Sequence, residues 1–209
     1  MSTAWLYRAL GERGLIVGSS GNVSERTADG MIITPSGGAP DGTRDKTLAE
    51  ITLDGTRLND ATPSSEWEMH AGIYRAFPDA AVVVHAHADA CTALACLNEE
   101  LPPFHYMIVQ FGGANVRCAP YVTFGTPALA HAAVTAMQDR SACLLANHGM
   151  ILHARNVQEA LSRTVLLEQL CRQYLLARSA GQPKLLTDTD IDAAIERFRT
   201  YGPRPEAAR

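Results

Sequence analysis

The chain has 209 residues, of which 46% are apolar, 19% charged and 6% aromatic. Its 18 basic and 22 acidic residues give a net charge of −4, which excludes a general basic footprint for nucleic acid. The apolar content excludes a disordered chain. One domain over 1–209 is expected, large enough to fold without a disulfide or structural metal, with about 203–209 as a mobile tail.

Further classes fall away on simple counts. No apolar run approaches the ~18 residues of a membrane span, and the N-terminal MSTAWLYRALGERG lacks the apolar core of a signal peptide. The five cysteines (Cys91, Cys96, Cys118, Cys143, Cys171) form no CxxC pair and read as reduced thiols of a cytoplasmic protein. The two lysines, Lys46 and Lys184, lie in polar turn-like stretches. Schiff-base chemistry needs a desolvated amine, so it is not expected here.

In chain order, residues 2–13 read as a helix with Ser2 as N-cap. Ile16-Val17, Asn22–Arg26 and Met31–Thr34 read as strands, with Ala28-Asp29-Gly30 as a hairpin turn. Residues 38–47 form a polar loop, and Ile51-Thr52-Leu53 a further strand. Pro63-Ser64-Ser65-Glu66 opens a helix that runs to Phe77, with Ser64 as N-cap and Pro78 as the stop. Ala81–His85 is a continuous apolar run, hence a strand buried on both faces. A helix follows over about 89–97, and Met107–Gln110 is a candidate strand. Thr126-Pro127 opens a helix to about Asp139. Ala142–Ala146 and Met150–His153 are strands around an Asn147-His148-Gly149 turn. Asn156 and Glu159 cap a helix to about Arg178, and a last helix covers about 188–200. Interleaved strands and helices predict a layered α/β fold around a buried sheet.

His85 and His87 stand at i, i+2 at the end of the valine run, a spacing that puts two imidazoles on one face of a strand. Such a pair suits a metal site, and it equally suits two polar residues at a strand end. His148 lies in a tight turn between two apolar strands, with Gly149 available for a positive φ. Three convergent neutral imidazoles would leave one position of a tetrahedral zinc ion open, a catalytic arrangement. Spacing alone leaves His70, His105, His131 and His153 open as ligands too.

Glu66 sits in the first turn of its expected helix, where the macrodipole favours a carboxylate. Position alone also fits a helix-start glutamate with no role. Small residues cluster at Ser19-Ser20-Gly21-Asn22, Ser36-Gly37-Gly38 and Ser64-Ser65. Backbone N–H groups and hydroxyls at such turns bind phosphate without lysine, although the same residues make ordinary turns. Tyr106, between a double proline and a short apolar run, has a phenol that could act as a general acid or pack at a subunit interface.

Taken in order, GNVSER, MIITPSG, PSSEWEMH, VVVHAH and NHGMIL resemble the class II aldolase/adducin-head family, over about Ala9 to Tyr201. FHYMIVQFGGANVRCAPYVTFGT and RFRTYG resemble its L-fuculose-1-phosphate aldolase branch. The resemblance implies a three-layer αβα sandwich with a mixed, largely antiparallel sheet. It also implies a homotetrameric ring with sites between subunits. His85, His87 and His148 match the family's zinc ligands, with Mn2+ or Co2+ as other metals the site could take. Glu66 matches the catalytic acid/base, which also ligates the metal when no substrate is bound. Ser19, Gly21, Asn22, Ser36, Gly37, Ser64 and Ser65 match the phosphate site. Tyr106 matches a tyrosine that reaches a neighbouring subunit's site, and Phe124 and Tyr201 match residues at the aldehyde end. Ser19 and Ser36 stand where threonine is expected, and Asn147 where a second histidine is common, departures that bear on substrate preference more than on chemistry.

The implied activity is cleavage of a ketose 1-phosphate to dihydroxyacetone phosphate and an aldehyde. The substrate would be L-fuculose 1-phosphate or a 5-deoxy- or 5-methylthio-ribulose 1-phosphate. Other reactions of the family remain as alternatives: methylthioribulose-1-phosphate dehydration, ribulose-5-phosphate 4-epimerisation and decarboxylation of a phosphorylated keto-acid. A non-catalytic assembly module of the adducin-head type is a remoter alternative, because such heads have lost the metal histidines.

Overall fold

The computed structural model describes residues 1–201; the expected tail at about 203–209 lies outside the described residues. Seven strands form one sheet in the order β3-β2-β1-β4-β7-β6-β5. They are β1 (Gly21–Arg26), β2 (Met31–Ile33), β3 (Ala49–Ile51), β4 (Val82–Ala86), β5 (Cys118–Ala119), β6 (Ala142–Leu145) and β7 (Gly149–Ala154). Every pairing is antiparallel except that of β5 with β6. The sheet is therefore mixed and largely antiparallel, with helices on both faces.

The central strand β4 shows how this sequence builds the layers. Val82, Val84 and Ala86 point into one apolar layer, where α1 (Thr3–Glu12), α3 (Asp89–Ala95) and α5 (Val157–Ala180) pack. Val83 faces the opposite layer, against α2 (Trp67–Ala76) and α4 (Pro127–Ala136). Its valines are fully buried, each worth ~1.5–3 kcal/mol relative to exposure. His85 shares the face of Val83 and is buried as well, so the sheet carries a polar ring into its α2 side.

Several elements match the sequence and several depart from it. Ser2 caps α1 by accepting from Trp5 N–H, and Thr126 caps α4 in the same way through Leu129 N–H. Asn156 caps α5, and α6 (Asp188–Arg199) closes the described fold behind a Thr187–Asp190 capping box. Ile16-Val17 is not a strand: Ile16 is buried, whereas Val17 is exposed and bridges only to Ser20 across a tight turn. The strand expected at Ile51–Leu53 lies earlier, at Ala49–Ile51, because the chain turns at Thr52, whose carbonyl accepts from Gly55 N–H.

Met107–Gln110 is not a strand but part of a 3-10 helix over Tyr106–Phe111. His105 accepts from Met107 N–H at its start, and Ile108 and Phe111, three residues apart, both bury inward. A short apolar run carries no periodicity that separates the two structures. Strand β5 is too short to have been read from the sequence.

Candidate active site

Two strands, one tight turn and one helix start bring the site together. His85 is the penultimate residue of β4, and its cross-strand partners are Asn22 on β1 and Ile151 on β7. His87 follows β4 by one residue, and His148 sits in the turn between β6 and β7. The positive φ of that turn belongs to Asn147 (+53°) and not to Gly149, which corrects the expectation for this turn. Gly149 is required for another reason: a Cβ there would stand 2.5 Å from the Ala86 carbonyl oxygen and 3.0 Å from His87 Cδ2. The close approach of β7 to the end of β4 is what lets the three rings meet.

They meet as a near-equilateral triangle, with ring centroids 4.8–4.9 Å apart. His85 Nδ1–H donates to the Met150 carbonyl at 2.9 Å, so in the neutral ring Nε2 carries the lone pair. That lone pair faces His87 Nε2 at 3.0 Å.

Glu66 completes the cluster. The helix expected from Pro63–Glu66 begins instead at Trp67, with Glu66 as the residue before its first turn. Ser64 Oγ accepts from Glu66 N–H, and the Glu66 side chain caps nothing. It is buried, with Oε2 3.2 Å from His85 Nε2 and Oε1 3.4 Å from His148 Nε2. Asn22 Nδ2–H donates to Oε2 at 3.0 Å, while Oε1 has no hydrogen-bond partner among the described residues.

These atoms fit a divalent cation. In a tetrahedral site with metal–nitrogen distances of about 2.0–2.1 Å, neighbouring ligand atoms stand about 3.3 Å apart. The observed separations of 3.0, 3.2 and 3.4 Å bracket that value. An orphaned carboxylate oxygen and imidazole lone pairs turned on one point repel one another unless positive charge lies between them.

The electrostatics agree. Burial alone raises the Glu66 carboxyl. The neighbouring His85 and His148 rings and the Asn22 N–H instead hold it well below the usual carboxylate range. Burial, then the proximity of His85, lowers His87 and His148 to about 4 each, which keeps both rings neutral and able to ligate at neutral pH. His85, His87 and His148 thus form a group able to hold a metal ion.

A family model described as "Class II Aldolase and Adducin N-terminal domain" matches residues 2–175. The chain belongs to this class II aldolase/adducin family. It is 41% identical over 189 residues to a 5-methylthioribulose-1-phosphate/5-deoxyribulose-1-phosphate aldolase of Rhodospirillum rubrum, covering 90% of this chain and 86% of the relative. It is also 41% identical over 194 residues to the L-fuculose phosphate aldolase of Escherichia coli K12, covering 92% and 90%. Among solved structures, an L-fuculose 1-phosphate aldolase superposes with a TM-score of 0.90 at 36% identity, over 94% of each chain.

In this class II aldolase the three small-residue turns are tied together, and the first, Ser19-Ser20-Gly21, lines a cleft with His87 and His148. Tyr7 Oη–H reaches the carbonyls of Gly21 (3.2 Å) and Gly38 (2.8 Å), tying the first turn to the second. Ser36 N–H donates to Thr62 O and Ser64 N–H to Thr34 O, tying the second to the third. Gly21 has φ +129°, and a Cβ there would meet the His85 carbonyl at 2.9 Å. Ser19, Ser36, Gly37 and Ser65 are exposed, Ser64 and Asn22 buried. The Asn22 carboxamide is engaged at both ends inside the protein.

Ser19, Gly21, Glu66, His87, His148 and Phe124 share one cleft of about 320 Å³. Ser20, Tyr121, Val122 and Asn147 also line it; Tyr121 and Val122 lie within FHYMIVQFGGANVRCAPYVTFGT, but their residue types carry no signal of such a place. Tyr106 and Tyr201 do not line this cleft. They lie in a separate hollow with Phe198, whose ring centroid is 6.1 Å from that of Tyr106 and 6.0 Å from that of Tyr201. Tyr106, Phe124 and Tyr201 are all more than half exposed. His105, His131 and His153 stand outside the three-histidine group, and His70 lies behind it. Lys46 and Lys184 are exposed, away from any desolvated setting.

Proposed function

We propose that this protein is a zinc-dependent aldolase that cleaves a ketose 1-phosphate to dihydroxyacetone phosphate and an aldehyde. L-fuculose 1-phosphate and the 5-deoxy- and 5-methylthio-ribulose 1-phosphates are the candidate substrates, in keeping with what the relatives above are named for. The observation that carries this reading is the convergence of His85, His87 and His148 on the Glu66 carboxylate, in a cleft beside turns suited to phosphate.

His85, His87 and His148 would hold the metal, with Glu66 as a further ligand before substrate binds. When bound, it supplies Lewis-acid stabilisation of the negative charge that cleavage leaves on the C2 oxygen. The backbone N–H groups and hydroxyls at Ser19, Gly21, Asn22, Ser36, Gly37, Ser64 and Ser65 fix the phosphate, which turns binding energy into orientation of C3 and C4. As the C3–C4 bond breaks, a neighbouring subunit's Tyr106, as phenolate, takes the proton of the C4 hydroxyl, and Glu66 in its acid form, protonated from solvent, delivers that proton to C3; solvent takes the proton back from Tyr106 before the next turnover. Phe124, and Tyr201 from a neighbouring subunit, would face the departing aldehyde.

The exposure of Tyr106, Phe124 and Tyr201 supports assembly as a homotetramer with sites between copies. Five unpaired cysteines suit a reducing compartment such as the cytoplasm, and among the described residues no helix is long and apolar enough to cross a membrane. The deciding experiment is a screen of ketose 1-phosphates with coupled detection of dihydroxyacetone phosphate. Stoichiometric triose phosphate supports cleavage. Substrate loss without it points to dehydration, epimerisation or decarboxylation.

A further inference from the structure

His70 has no part in the reaction above, yet it is fully buried between α2 and the sheet, with both ring nitrogens engaged. Nε2 meets Asn22 Oδ1 at 2.5 Å, and Nδ1 meets Ser24 Oγ at 2.7 Å. An amide oxygen only accepts, so Nε2 bears the proton. In the neutral ring Nδ1 then accepts, and Ser24 Oγ–H donates to it. Tyr74 Oη lies 2.8 Å from Ser24 Oγ and donates in turn, because the serine's one proton is already used. At the far end, Asn22 Nδ2–H donates to Glu66 Oε2.

Every donor in this row of hydrogen bonds points the same way, from Tyr74 through Ser24, His70 and Asn22 to Glu66. The carboxylate sets that direction. If Asn22 turned over, its oxygen would face the carboxylate and its N–H would face the His70 N–H, two like pairs in a buried place. His70 opposes the turn from the other end, since its Nε2–H donates and needs an oxygen acceptor opposite. We infer that His70 is a positioning residue that locks the Asn22 carboxamide and, through it, the aim of the Glu66 carboxylate into the cleft. The inference rests on Glu66 as the proton-bearing group of the proposed reaction.

The test is a double-substitution cycle on the metal-loaded enzyme, followed through kcat, KM and bound metal. His70→Leu should lower kcat about 10- to 100-fold, with KM and metal per chain within about twofold of the parent. In a Glu66→Gln background the same substitution should change kcat by less than about twofold, since the group it aims is gone. His70→Gln, whose amide nitrogen can stand near the Nε2 position, should recover most of the loss although Ser24 is left without its imidazole. In metal-free protein, 15N NMR should show His70 as the Nε2–H tautomer, with a slowly exchanging proton that Asn22→Ala exposes.

Additive losses in the double variant, a Gln variant no better than Leu, or an Nδ1–H tautomer would overturn the inference. Should His70→Leu fail to fold, the Gln variant and the tautomer still decide it. A fully active Glu66→Gln enzyme would instead bring down the proposed reaction, and this inference with it.

Discussion

His85 and His87 meet nitrogen to nitrogen, with Nε2 atoms 3.0 Å apart, while the other nitrogen of His85 is committed to the Met150 carbonyl. With the His87 Nε2 also unprotonated, the two lone pairs suit a cation between them. Protein purified without chelator should therefore carry about one divalent ion per chain, and His148→Ala should lose both metal and aldol cleavage. Metal analysis of the parent and variant checks this; metal-free parent protein with full activity would contradict it.

In the proposed reaction Glu66 and the histidines divide the work. Glu66→Gln should retain metal, because three imidazoles remain, and should lose turnover by about 10²–10⁴-fold, the usual range for removal of a general acid–base. Turnover and bound metal measured on the same preparation separate the two roles.

Tyr106 lies outside the cleft of its own chain. Tyr106→Phe should slow cleavage without loss of metal. Mixing it with a Glu66→Gln variant should restore part of the activity if subunits exchange, because some sites then receive an intact tyrosine and an intact carboxylate from different copies. No recovery in verified mixed oligomers would place the phenol in its own subunit's site.

Gly149 is constrained by packing. Gly149→Ala would push a methyl into the Ala86 carbonyl and the His87 ring, at 2.5 and 3.0 Å. A cost of about 1–3 kcal/mol is expected from such overpacking, together with weaker metal retention, since His87 must move. Urea unfolding and metal competition measure the two effects.

Acid should unfold the metal-free protein early. Burial lowers His70 to about 3 and His87, His148 and His153 to about 4 each, against about 6.5 in an unfolded chain. Below pH 6.5 the unfolded chain binds protons that the folded chain refuses. The stability these neutral rings provide is therefore complete above pH 6.5 and is lost as pH falls toward 4. Bound metal should steepen the loss, because protons compete for His87 and His148. Urea midpoints at pH 7.5, 6 and 5 with and without chelator check the sign; midpoints independent of pH would refute it.

Much of this was legible in the residues. The continuous apolar run Ala81–His85 marked a buried strand ending in a polar ring, and Thr126-Pro127 and Asn156 marked helix starts. Short segments were not legible. Tyr106–Phe111 became a 3-10 helix, and the helix after Ser64 started at Trp67, because a run of a few residues has no period to read and a cap is set by geometry. The i, i+4 spacing of Glu66 and His70 could have linked them, but only Asn22, from β1, joins the pair.

The ordered motifs alone settled the family, the α/β class and the three histidines able to hold a metal, since these are properties of residue type and order along the chain. The tertiary structure decided which groups share a point in space: Glu66, with an oxygen unpartnered among the described residues, beside the imidazoles, Asn22 between His70 and Glu66, and Tyr106 apart from its own cleft. Sheet register and backbone close approach make those choices, and they depend on strands that lie tens of residues apart in the chain.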